Sequence, residues 1–146
     1  NMYDLMIHDI KNNTVKNNPV FSTLFCGTRK NPHIKAEISG LTEDNFTAKH
    51  ITYSALKGIS DELYFMYNEI KKFDSSKRAR LIGSGNGIRK NPLLKEILEK
   101  TFSLTLSVPI NNEEAAYGAA LYALTAIDCF NSVEQAQKIV RFEELS

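Results

Sequence analysis

Tryptophan is missing from the 146 residues, cysteine occurs twice and proline four times. No apolar run approaches the ~20 residues that cross a bilayer, so membrane insertion is not expected. Neither sign of charge prevails. Eighteen Lys and Arg face 17 Asp and Glu, for a formal charge of +1, so the field that would draw nucleic acid or an anionic membrane is lacking. Cys26 and Cys129 stand far apart, without CxxC or Cys/His spacing, which points to free thiols in a reduced, cytoplasmic compartment. His8, His33 and His50 lack ligand spacing and read as surface or loop residues, so no metal ligands are expected here. No basic-apolar-small leader opens the chain. It enters Tyr3-Asp4-Leu5 without introduction, and we expect a piece of a longer protein.

What is present, 42% hydrophobic and 24% charged residues, suits one globular domain. Residues 2–10 read as a short helix or ragged strand, and 11–18 as a loop. Residues 20–26, rich in β-branched and aromatic side chains, predict a strand running into Gly27, and the loop that follows continues to Pro32. Alternation at Ile34, Ala36 and Ile38 predicts a second strand over 34–41. From Thr47, an apolar stripe through Ile51, Ala55, Ile59, Leu63, Met66 and Ile70 predicts a helix ending near Phe73. Ser54, Ala55 and Gly58 beside the stripe would admit another backbone.

Residues 79–82 predict a buried strand emptying into Gly83-Ser84-Gly85-Asn86-Gly87. Asn91 as N-cap and Pro92 at the first helical position predict the next helix, with Leu94, Ile97, Leu98 and Phe102 inward. A strand over 104–109 follows. Asn111-x-x-Glu114 reads as a capping box opening a helix from Glu113 to about Phe130, and Glu113 and Glu114 as helix-start acids suited to the dipole. Ala115, Ala116, Gly118, Ala119, Ala120 and Ala123 predict close packing on a neighbour. A last helix is expected over 133–142. The order predicts α/β layering with helices covering a mixed, incomplete sheet.

Chemistry is expected at the glycine turn, because a strand–turn–helix with several glycines lets ligand atoms reach main-chain N–H groups. On the residues alone, a tight connection with no ligand is an equal reading. Ile88 stands where a dinucleotide fingerprint needs its last glycine, and no Gly-Lys-Ser/Thr completes a P-loop. Arg29, in a Gly-Thr-Arg turn, reads as structural. The tyrosines and phenylalanines read as packing, since no basic face accompanies them.

The run Leu81-Ile82-Gly83-Ser84-Gly85-Asn86-Gly87-Ile88-Arg89-Lys90-Asn91-Pro92, followed by Glu113-Glu114-Ala115-Ala116-Tyr117-Gly118-Ala119-Ala120, resembles the C-terminal signature of the FGGY carbohydrate kinases. Phe25-Cys26-Gly27-Thr28-Arg29, Ile38-Ser39-Gly40-Leu41 and Ala55-Leu56-x-Gly58-Ile59 fit the same order. Within the family, the Gly-Ser-Gly turn is most similar to that of the sedoheptulose kinases. The resemblance implies an actin-like, ribonuclease-H-like domain, one half of a clamp that closes on ATP and a sugar. It implies that Gly83, Ser84, Gly85 and Asn86 bind the nucleotide, with Asn91 at the adenine edge and the helix from Glu113 packed behind the turn. Ser84 and Asn86 depart from the commoner glycine and alanine. The phosphate loops, the Mg²⁺ carboxylate and the catalytic aspartate are implied to lie outside these residues, so no catalytic residue is assigned here and no turnover is expected of this chain alone. A non-catalytic actin-like module is the alternative. Expected partners are ATP or ADP, with a sugar through the missing domain; homodimerisation is left open.

Overall fold

A computed structural model describes residues 5, 7–10, 16–74 and 76–143. Tyr3 and residues 11–15 of the loop expected over 11–18 lie outside them. The described residues fall into two compact units, residues 1–77 with 96–103 and residues 78–95 with 104–146.

In the first unit, residues 5 and 7–10 are helical (α1), burying Ile7 and Ile10. Strand β1 (Val20–Ser22) pairs antiparallel with β2 (Glu37–Ser39), placing Phe21 opposite Ile38. Both are shorter than expected. After Ser22 the chain curls through turn bonds, Phe25 N–H to the Thr23 carbonyl and Gly27 N–H to that of Leu24, and these take the groups a ladder would have used. Between β2 and the next helix, the buried Asn45 braces the loop. Its Oδ1 accepts Thr42 N–H, and its Nδ2 donates to the carbonyls of Gly40 and Asn17.

Helix α2 (Ala48–Lys71) begins where Thr47 predicted, the Thr47 hydroxyl accepting His50 N–H as an N-cap. It meets β1 where the small residues are. Ser54 is buried, and a β-carbon added at Gly58 would run into the Phe21 carbonyl oxygen. The Thr23 hydroxyl donates to Glu62 Oε2 at 2.7 Å, tying the end of β1 to the helix. Further along, Tyr64 meets Phe102 edge-on and Tyr67 meets it at a tilt, with ring centroids 5.2 and 5.4 Å apart. The stripe beyond Gly58 is partly open: Ile59, Leu63, Met66 and Ile70 are all exposed by more than a third.

In the second unit, β3 (Leu81–Ile82) runs parallel to β4 (Leu106–Ser107), with Leu81 opposite the fully buried Leu106. A parallel pair requires a crossover. It is supplied by α3 (Asn86–Arg89), a turn of helix the sequence did not announce, and α4 (Pro92–Phe102), whose last residues belong to the first unit. Helix α4 buries Leu94, Ile97 and Leu98 as expected, and Leu93 as well. The strand expected to be buried leaves Ile82 half exposed.

Helix α5 (Glu114–Ala126) ends before Phe130, because Asp128 takes a left-handed φ of 60° and Cys129 N–H folds back to the Leu124 carbonyl. The expected last helix breaks after α6 (Val133–Ala136) and a 3-10 turn at Gln137–Ile139. From Val140 the backbone is extended, so Phe142 bridges Pro109 and Arg80 lies over the Phe142 ring at 4.2 Å.

Candidate functional site

The glycine turn joins β3 to α3 within the second unit. Gly83 N–H donates to the Ser107 carbonyl at 3.0 Å, and the residue packs against Leu106 and Ile88 with no room for a side chain. Two residues on, Gly85 has φ 84° and ψ 166°, a backbone region that belongs to glycine. Its carbonyl accepts Ile88 and Arg89 N–H, which starts α3. A β-carbon at Gly85 or Gly87 would meet nothing within 4 Å, so ligand atoms can approach the backbone there. Ser84 and Asn86 are exposed on the same turn.

The structure thus brings Gly83, Ser84, Gly85 and Asn86 onto one turn, on which Ser84 and Asn86 are exposed, Gly85 half-buried and Gly83 buried. Asn91 stands apart in character: it is 6% exposed, and its Oδ1 accepts Leu94 N–H at 3.0 Å, capping α4 in front of Pro92. The N-cap expectation holds, and the carboxamide oxygen is committed to it.

Two side chains that sequence reasoning did not place at the turn are central to it. Glu114 Oε1 accepts Gly85 N–H at 3.2 Å and two donors from Arg89, Nη2 at 2.6 Å and Nε at 3.2 Å. Arg89 Nη2 also donates to the carbonyls of Pro109 and Asn111, at 2.6 and 2.7 Å, and Nη1 lies 3.7 Å from Glu143. One guanidinium therefore fastens α3, the segment after β4, the start of α5 and the C-terminal extension, as its planar fork of donors allows. The capping box is not formed. Glu113 occupies the cap position without a side-chain cap bond, and the Glu114 carboxylate takes charge-assisted bonds from Arg89 and a bond from Gly85 N–H. The Arg89 hydrogen bonds, and then the Gly85 N–H, hold the Glu114 carboxyl below its ordinary range. The Asn111-x-x-Glu114 spacing flagged the acid but named the wrong partner.

The small residues of α5 correct another expectation. Ala115, Ala116, Ala119 and Ala120 are exposed, and a β-carbon at Gly118 would touch nothing within 4 Å, so close packing is not realised among the described residues. His8 and His33 are exposed, and His50 Nδ1 pairs with the Thr47 hydroxyl. No cluster of His, Cys, Asp or Glu among the described residues could hold a metal ion.

The C-terminal domain of the FGGY family of carbohydrate kinases matches residues 10–127, a span that includes the turn, Arg89, Glu114 and α5. The chain belongs to that family. It is 27% identical over 100 residues to sedoheptulokinase of Mus musculus and 29% identical over 98 to that of Homo sapiens, in each case 67% of this chain and 20% of the relative. The chain thus spans a fifth of these curated relatives. Plasmodium falciparum glycerol kinase, solved with ADP, superposes on 97% of the chain with a TM-score of 0.77 at 18% identity, over 28% of its own length. Xylulose kinase from Rhodospirillum rubrum covers 98% with a TM-score of 0.72 at 17% identity, again over 28% of its length. This FGGY domain has the actin-like, ribonuclease-H-like α/β fold of those kinases. No described helix is long and apolar enough to cross a membrane.

Proposed function

We propose that this FGGY domain is the nucleotide-holding part of a cytoplasmic, ATP-dependent carbohydrate kinase, which moves the γ-phosphoryl of ATP to a sugar hydroxyl. The observation that carries the reading is the turn itself. Gly83 is pinned to β4, Gly85 holds a glycine-only backbone, and the main chain beyond is open to a ligand. Gly83, Ser84, Gly85 and Asn86 would bind the nucleotide by backbone groups and short polar side chains. Asn91 would contribute at the adenine edge while capping α4, so its role is as much to fix the turn's exit as to touch the base. ATP supplies the phosphoryl group, and Mg²⁺ neutralises charge that develops on its phosphates. Following the family resemblance, the Mg²⁺ ligands, the sugar site and the base are assigned to the rest of the protein. The identity to two sedoheptulokinases favours a ketose such as sedoheptulose as the acceptor.

The test is ADP release by the full-length protein with ATP and a panel of sugars. Release that requires a ketose supports the reading. No sugar-dependent release, with nucleotide still bound, would make the protein a non-catalytic member of its family.

A further inference from the structure

A hollow of about 550 Å³ on the second unit is lined by Ile82, Pro109, Val140 and Phe142, with the exposed Arg80 and Lys138 completing its wall. That volume is within the range of small-molecule sites. None of Gly83, Ser84, Gly85 or Asn86 lines it, so it is a different place from the glycine turn.

The extended C-terminal segment shapes one side. Val140 leaves the 3-10 turn with φ −65° and ψ 119°, and the residues after it pair with the segment following β4. Ile110 N–H donates to the Arg141 carbonyl at 3.0 Å, and Glu143 N–H to that of Val108 at 2.8 Å. Side chains alternate along an extended segment, so Val140 and Phe142 share the face of the hollow, and Arg141 and Glu143 take the other.

The same alternation sorts the charges. Glu143 Oε1 lies 3.7 Å from Arg89 Nη1, away from the hollow. Glu134, one turn ahead of Lys138, is engaged at the start of α6, where its own backbone N–H and the Ser132 hydroxyl hold its carboxyl below the ordinary range. Among the described residues no carboxylate pairs with Arg80 or Lys138. Arg80 is placed instead by Phe142, its guanidinium carbon 4.2 Å from the ring centroid. A ring face attracts the cation but leaves its fork of N–H donors for another acceptor. Beside these two cations lies apolar surface still open to water, with Ile82 53% exposed. A bare phosphate would leave that surface uncovered, and a neutral hydrocarbon would leave the donors unused; a molecule that carries both an anionic group and an apolar body uses both.

We propose that this hollow binds a small organic anion, its carboxylate, sulfonate or phosphate group taken by Arg80 and Lys138 and its ring-sized apolar body packed against Ile82, Val140 and Phe142.

The test is calorimetry on the full-length protein with 1-naphthoate as the probe and 1-naphthamide as its uncharged counterpart, followed by hydrogen–deuterium exchange to locate the bound probe. Naphthoate is expected to bind about tenfold more tightly than naphthamide and to slow exchange over residues 138–143. Arg80→Gln and Lys138→Gln should each weaken naphthoate a few-fold and leave naphthamide unchanged, so that in the double variant the two probes bind nearly alike. Equal binding of the two probes to the wild type, naphthoate binding that leaves 138–143 unprotected, or an unchanged ratio in both single variants overturns the proposal. A concentration-dependent dimer that protects the same residues and excludes the probe also overturns it, since the occupant is then a second copy of the chain. Should Arg80→Gln fail to fold, Lys138→Gln, on an exposed turn, carries the comparison alone.

Discussion

The carbonyl oxygen of Phe21 lies against the backbone of Gly58, filling the space where any other residue would carry its β-carbon. Strand β1 and helix α2 approach this closely because Gly58 allows it, and the Thr23–Glu62 hydrogen bond closes the same contact four residues further along the helix. Gly58→Ala should therefore destabilise by about 1–3 kcal/mol, as overpacking does, despite alanine's better helix propensity. Gly118→Ala is the control. It also lies in a helix but faces open space, so it should stabilise by up to about 1 kcal/mol. Denaturant midpoints of the two variants should move in opposite directions.

Asn91 makes a separable prediction. Its Oδ1 caps α4 through Leu94 N–H, so Asn91→Ala should cost about 1 kcal/mol and Asn91→Ser or Asn91→Asp much less. Chemical denaturation of the three variants checks this. Equal loss in all three would show that the cap is not what the side chain contributes.

Arg89 is the fastener of the second unit. Arg89→Ala strands the carbonyls of Pro109 and Asn111, and leaving such acceptors unpaired costs about 1–3 kcal/mol. Arg89→Lys should rescue little, since a single ammonium cannot reproduce the fork. Thermal melting of both variants against wild type tests the point.

The Glu114 interaction also sets a pH dependence. Its folded pKa is depressed below the ordinary 4.5, first by Arg89 and then by the Gly85 N–H. A depressed carboxyl stabilises the fold above the unfolded value and loses that contribution as pH falls through the folded one. The melting temperatures of wild type and Glu114→Gln should differ by a constant amount from pH 7 to about 5 and converge below that range. A gap that does not narrow at all as the solution is acidified below pH 5 would show that the charge is not what matters.

The strength and weakness of the sequence signals follow from how local each one was. Thr47 as a cap, the 3-4 spacing of α2, and Asn91-Pro92 before α4 depend on neighbours within a turn of helix, and all three were legible. The strands were over-extended because alternation at Ile34, Ala36 and Ile38 states a preference, whereas strand length is set by partners. Only three residues on each side of β1–β2 pair. The glycine turn was legible as a strand running into a helix with several glycines. The Arg89–Glu114 contact was not, since the residues lie 25 apart and Glu114 satisfied a simpler local pattern as a helix-start acid. Nor could sequence tell that Gly118 faces open space, because small residues announce only that close packing is permitted.

The central claim is that Gly83 to Asn91 form a nucleotide half-site, and an NMR titration of this domain with MgADP tests it most directly, in wild type and in Gly85→Val. Shifts clustered on Gly83 to Asn91 in the wild type and lost in the variant are the predicted result. No response of that segment at millimolar MgADP, or an identical response in both proteins, would contradict it.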